Sequence, residues 1–362
     1  MGTRERNSSV ELLKVISILL IVLSHAAASA PINTSYGGGN LEVFVSLKIL
    51  LTNLGQIGNC IFFICSVWFL LESRNQKINK TIKMIMETFL ASVFCLSLVL
   101  IAGYKVPLKE IVFSFFPLTY GYYWFISCYI LVYLIHPYFN IVIERLSQFQ
   151  HFCIIGVFLI LYSFYVLLIG GNFFYYNELI GFISLYFITA YYKKYILSKL
   201  NIRTNNLILL PSLIWIIGSI LLAILAVNVS IFSNKIMWFN KFINPCFILM
   251  GLGLVTLAQK RLFYRPLINY FSSLTLLIFM LHNNKLIRLF VEVDYYNNIF
   301  KHHGLEFWIP AVFLYFTMSA ILSFFFAFIL DKLFCSSFFN RMVEYISFKV
   351  QFFFLKTYSY IK

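Results

Sequence analysis

The chain has 362 residues, of which 61% are hydrophobic and only 11% charged, against about 25% charged in soluble domains. This excludes a soluble globular protein and indicates a polytopic membrane protein. The excess of 28 Lys and Arg over 13 Asp and Glu, a formal net charge of +15, reads as membrane topology rather than nucleic-acid binding, because cytoplasmic loops collect basic residues.

Apolar runs fall at 10–30, 44–71, 84–103, 122–143, 152–170, 178–195, 207–228, 237–258, 267–287 and 308–331. Each is near the length a helix needs to cross a bilayer, so the chain is expected to be an all-α bundle of about ten transmembrane helices. With the N-terminus in the cytoplasm, most basic residues fall on the inner side: Arg4, Arg6, the loops 72–83, 193–206 and 259–266, and the tail from Lys332. Both termini are therefore expected to be cytoplasmic. Ala28-Ser29-Ala30 after an apolar run resembles a signal-peptide cleavage site. Cleavage there would leave Pro31 first and spoil the charge pattern, so the segment is read as a retained first span. Residues 1–334 form one transmembrane domain. Residues 335–362 form a cytoplasmic tail, with Phe338–Leu355 expected as an amphipathic helix on the inner membrane surface.

The seven cysteines lie mostly within or beside apolar runs and form no CxxC pair with a partnering His. They read as small buried hydrophobes, not as a disulfide framework or metal ligands. His302-His303 are neighbours whose side chains diverge, so no metal site is expected. The sequence has no phosphate-cradling glycine loop of the ATP-binding kind. His136 and His151 flank the loop 144–150 and are expected at the interface.

The first span carries the candidate chemistry. Glu11, Lys14 and His25 sit inside it, and ionisable groups within a membrane are costly enough to mark function. Lys14 and His25 are eleven residues apart, which returns to within roughly 20° of one helix face about 16 Å further along. Imidazole titrates near neutrality and suits a general base. Lys14 reads as an interfacial lysine or as an anchor for phosphates. Glu11 pairs with it one turn away, or serves the chemistry itself. His282, followed by Asn283 and Asn284, closes a late apolar run, with Lys285 and Arg288 just beyond. These read either as interfacial anchors or as a site for an anionic acceptor or lipid pyrophosphate.

The run from Glu11 through Leu12, Leu13 and Lys14 to His25 resembles the signature of the bacterial membrane acyltransferase family 3, the O-acyltransferases of surface glycans. That family shows an acidic residue, Leu-x-Arg and a later His; here Lys14 takes the place of the Arg. FFICSVWFLLESR, from Phe62, is similar to the family's second helix, with Ser66 in place and Val67 where Gly is usual. Lys80-Thr81-Ile82-Lys83 stands where many members carry paired arginines. YWFISCYILVYLIHPYFN, from Tyr123, resembles the fourth helix through Trp124, Tyr129, Tyr133, Pro137 and Asn140. LYFITAYYKKY, from Leu185, resembles the sixth, and the run ending at His282 the late helix with its aromatic-x-x-His pattern.

The resemblance implies a multi-pass protein of the bacterial inner (plasma) membrane, in contact with membrane lipids. It would move an acyl group, most simply acetyl, from cytoplasmic acyl-CoA to a hydroxyl of a surface polysaccharide or its lipid-linked precursor. His25 and Glu11 would be catalytic, His25 as general base or transient acyl carrier. Lys14, Arg74, Lys80 and Lys83 would bind acyl-CoA; Trp124, His282 and Arg288 would bind the acceptor. Acyl-CoA is then a co-substrate, and no resident cofactor or nucleic-acid partner is implied. The alternative is a non-catalytic transporter or lipid-linked glycan flippase lined by the same polar track.

Overall fold

Asn7 opens the first helix, its side-chain carbonyl accepting from the Ser9 N–H at 3.0 Å. A computed structural model describes residues 7–30, 41–74, 77–165, 168, 177–199 and 204–361. Arg4, Arg6, part of the 152–170 run and part of the 193–206 loop lie outside the described residues. The helices are α1 (Ser8–Ser29), α2 (Leu41–Leu70), α3 (Ile78–Ile101), α4 (Leu108–Phe115), α5 (Trp124–Arg145), α6 (Gln148–Phe158), α7 (Glu178–Tyr191), α8 (Asn206–Asn228), α9 (Pro245–Lys260), α10 (Pro266–Ser273), α11 (Thr275–His282), α12 (Val293–His303), α13 (Trp308–Phe334) and α14 (Ser337–Ile361). No strand occurs among the described residues.

Six of these helices, α1, α2, α3, α5, α8 and α13, are long and apolar enough to cross a membrane. The other expected spans are shorter or interrupted. Near 237–258 the helix starts only at Pro245, after a series of turns. The 267–287 run is split into α10 and α11 and ends at Asn283.

The central contact is α1 against α2. A Cβ at Gly58 would fall on the Ser17 carbonyl of α1, and one at Gly55 on the Ser24 side chain. Small residues let two helices approach closely where lipid gives no hydrophobic drive to pair. The start of α1 is also fixed. The Ser8 N–H donates to Phe263 O, and the Ser8 hydroxyl bonds both Asn269 Oδ1 and the Arg265 N–H. At its far end the buried Lys48 of α2 donates to the Ala30 carbonyl. The segment that resembles a signal peptide is thus the heart of the bundle.

The two histidines that flank the loop 144–150 are buried within the protein. Pro137 has no N–H, so it leaves the Tyr133 carbonyl of α5 without its helical partner. The His136 Nδ1–H takes that place at 2.6 Å. His151 bonds the Phe187 carbonyl of α7 at 3.1 Å. Nearby, Lys193 donates to Trp68 O at the end of α2, and Lys194 to Ile143 O near the end of α5. Lysines suit these positions because helix C-termini leave carbonyls unpaired and carry partial negative charge. Asn140 donates to Leu70 O and Ser73 O and accepts from the Tyr186 hydroxyl.

The tail forms α14, which is longer than the expected amphipathic segment. Phe339 and Val343 are buried against Phe334 and the bundle, while Phe338, Tyr345, Phe348, Phe352 and Phe353 stay exposed.

Candidate active site

Two clusters flank α1, one at each end, and both are completed by the α10–α11 segment running beside it. At the N-terminal end a cavity of about 460 Å³ is lined by Glu11, Lys14, Ser66, Lys80, Lys83 and Glu87, with Tyr129, Ser272 and other residues completing the wall. The Glu11 carboxylate lies 3.3 Å from the Lys14 amine and accepts from the Ser272 hydroxyl. Lys83 lies 3.7 Å from Glu87. The Lys14 amine lies 5.6 Å from the Phe69 ring centroid, and the Lys80 amine 4.8 Å from that of Tyr133, within range for cation–π attraction. Three amines against two carboxylates leave this cavity net basic.

At the other end, His25 Nδ1 lies 3.2 Å from His282 Nε2, and the rings stack at 27° with centroids 5.2 Å apart. His282 Nδ1 lies 2.8 Å from the Ile278 carbonyl. These partners assign the tautomers. A carbonyl only accepts, so His282 carries its proton on Nδ1 and offers a lone pair at Nε2. His25 must then donate from Nδ1, which leaves a lone pair on its own Nε2.

The chain breaks just after His282, and the break is built in. The Asn284 side chain donates to the buried Tyr123 hydroxyl at 2.8 Å and accepts from the Leu286 N–H at 2.9 Å. Irregular backbone at membrane depth is tolerated where protein partners satisfy it. A wide-turned helix, Ile287–Glu292, follows. It places Arg288 within electrostatic reach of both imidazoles. The Arg288 guanidinium is held at 3.4 Å by Glu292, whose carboxylate is 1% exposed.

The remaining predicted residues lie elsewhere. Arg74 is largely exposed and faces Glu144 at 3.9 Å, outside the basic cavity. Trp124 packs on Phe125, Phe182 and Phe242, one residue from the tyrosine that anchors the break. Glu11 is fourteen residues from His25, about 21 Å along the helix; it sits with Lys14, not with the imidazoles. Sequence reasoning missed Ser272, Tyr123, Asn284 and Glu292. Only two of these had a visible signal: the Asn pair ending an apolar run, and Glu292 one helical turn after Arg288.

The fold and site together define a membrane-embedded helix bundle with a net-basic cavity at one end of a helix and an imidazole pair near the other. The chain belongs to the acyltransferase family 3: the family's model, an acyltransferase domain, matches residues 7–331. The matched region ends just before α14. No curated protein and no solved structure matches the chain.

Proposed function

We propose that this acyltransferase moves an acetyl group from cytoplasmic acetyl-CoA to a hydroxyl of a surface polysaccharide or its lipid-linked precursor, in the bacterial cell membrane. The observation that carries the reading is the arrangement along α1. A net-basic cavity stands at Lys14, and an imidazole with a free lone pair stands at His25, about 16 Å further on.

In this reading Lys14, Lys80 and Lys83 receive the phosphates of coenzyme A, and the pantetheine arm reaches towards His25. The acceptor hydroxyl gives its proton to His25 Nε2 as its oxygen attacks the thioester carbonyl. The carbon–sulfur bond then breaks, and the departing thiolate takes the proton back from His25. His282 is a positioning residue: it fixes the ring and accepts the Nδ1–H, leaving Nε2 as the base. Arg288, held by Glu292, faces an anionic group of the acceptor.

The test is base-labile acetate on the surface glycan of cells carrying the wild-type gene, a deletion or His25→Ala at matched membrane abundance. Loss in both altered strains supports the reading. Equal acetate in wild type and deletion contradicts it.

A further inference from the structure

A second cavity, of about 350 Å³, lies on the other side of His282, between α3 and α13. Cys95 and Val99 of α3 form one wall and Tyr315, Ser319 and Leu322 of α13 the other, with His282 between them. Both helices pack on α11 and barely meet each other. Phe326 of α13, which lines the gap, meets Phe94 of α3 edge-on at 5.3 Å. Towards the bilayer it is open: Met318 and Leu322 line it and are also about half exposed, at 46% and 50%.

We infer that this slit holds the hydrocarbon chain of a lipid-anchored acceptor, which slides in sideways from the half of the bilayer at the C-terminal end of α1. The inference rests on the acyl-transfer reading and narrows its acceptor to the lipid-borne form. Three observations favour this occupant. The walls are mostly apolar, with Cys95, His282, Tyr315 and two serines the polar side chains among them, too few to match the many hydroxyls of a glycan chain. The opening lies beside Met318 and Leu322 on the exposed side of α13, a helix long and apolar enough to cross a membrane. None of the residues that line the slit lines the basic cavity that would take the donor. The slit also ends at the buried imidazole bonded to His25, with Arg288 in electrostatic reach for a phosphate or carboxylate at the head of the chain. Moving a chain from lipid into such a slit gains little hydrophobic energy, because lipid tails are equally apolar. Its work is to align the head group with the base.

The experiment is photolabelling of the full chain in lipid nanodiscs with a long-chain alkyl glucoside carrying a terminal diazirine, with adducts mapped by mass spectrometry. Labelling several-fold stronger at Cys95, Val99 and Leu322 than at the exposed Leu213 and Ile217 of α8 is expected. Ser319→Trp, which fills the slit, should abolish the excess; Ser319→Ala, and Leu314→Trp on the lipid-facing side of α13, should keep it. Even labelling of α3 and α8, or full slit labelling in Ser319→Trp, overturns the inference. So does loss of slit labelling on adding excess palmitoyl-CoA, which would assign the slit to the donor. Labelling needs no turnover, so His25→Ala should label like wild type. A failure of the base assignment would therefore appear in activity alone, and a failure of the slit in labelling alone.

Discussion

His25 Nδ1 stands 3.2 Å from His282 Nε2, and the Ile278 carbonyl on the far side of His282 decides which ring carries the free lone pair. One backbone hydrogen bond thereby sets the protonation pattern of two side chains on helices far apart in sequence. In the proposed reaction it gives the pair a direction: His282 orients, and His25 is the base.

His282→Gln should therefore lower kcat by roughly 10²-fold while leaving KM for acetyl-CoA unchanged, within the usual range for general-base contributions. His25→Ala should be at least as damaging, and the double variant no worse than His25→Ala alone, since residues acting as a unit are not additive. Steady-state kinetics on the four proteins check this. Multiplicative losses would show that the two rings act separately.

Lys14→Ala should raise KM for acetyl-CoA about tenfold, the equivalent of about 1.4 kcal/mol of binding, with kcat little changed. Lys14→Arg should keep or improve the affinity, because guanidinium grips phosphate with a planar fork. Arg74→Ala, which alters a side chain outside the cavity, should leave KM as it is. Isothermal titration with coenzyme A distinguishes these outcomes.

Glu292→Gln keeps the shape of the side chain that holds Arg288 and removes its charge. It should alter KM for the acceptor and leave coenzyme A affinity unchanged. Equal effects on both substrates would separate Arg288 from the acceptor side.

Much of this site was legible in the sequence, because an ionisable residue inside an apolar run is conspicuous. Glu11, Lys14, Lys80 and Lys83 are brought to one cavity, and His25 to His282. The pairing of the two histidines was not legible, because it depends on how α10–α11 lies along α1. The number of spans was legible only in part. Residues 178–195 and 267–287 have the composition of full spans, but the second is broken at Asn283 and Asn284, and the Asn284 side chain finds its distant partner in Tyr123, just before α5. The partners of His136 and His151 were not legible for a similar reason. Their bonds to the Tyr133 and Phe187 carbonyls exist only once α5 has formed around Pro137 and α7 has docked.

Gly58→Ala should lower activity without touching either cluster. The added methyl group meets backbone, the Ser17 carbonyl, so α1 itself must shift. Gly156→Ala, where a Cβ meets nothing, is the matched control. Equal activity of the two variants would show that the register of α1 on α2 is not critical.

The break after His282 is tied to α4 by Glu110, which pairs with Lys285 at 3.0 Å and accepts from the Tyr122 hydroxyl. Burial alone would raise its pKa. The Tyr122 bond and the Lys285 and Lys109 charges outweigh that and hold it below the usual carboxylate value. A depressed carboxylate pKa gives stability that is present above the unfolded-state value and is lost as pH falls through the folded-state value. Hydrogen-exchange protection at α4, corrected for the intrinsic exchange rate at each pH, should therefore fall on acidification below the ordinary carboxylate range, and Glu110→Gln should flatten that dependence. Protection independent of pH in the wild type would show that the tie does not hold α4.

The most direct test of the account is transfer of radiolabelled acetyl from acetyl-CoA by the purified protein in lipid nanodiscs, with a lipid extract of the source cells as acceptor. Wild type should release coenzyme A and label the acceptor in equal amounts. His25→Ala should do neither, while still binding coenzyme A at the Lys14 cavity. Label transferred by His25→Ala at the wild-type rate would contradict the assignment of the base to α1.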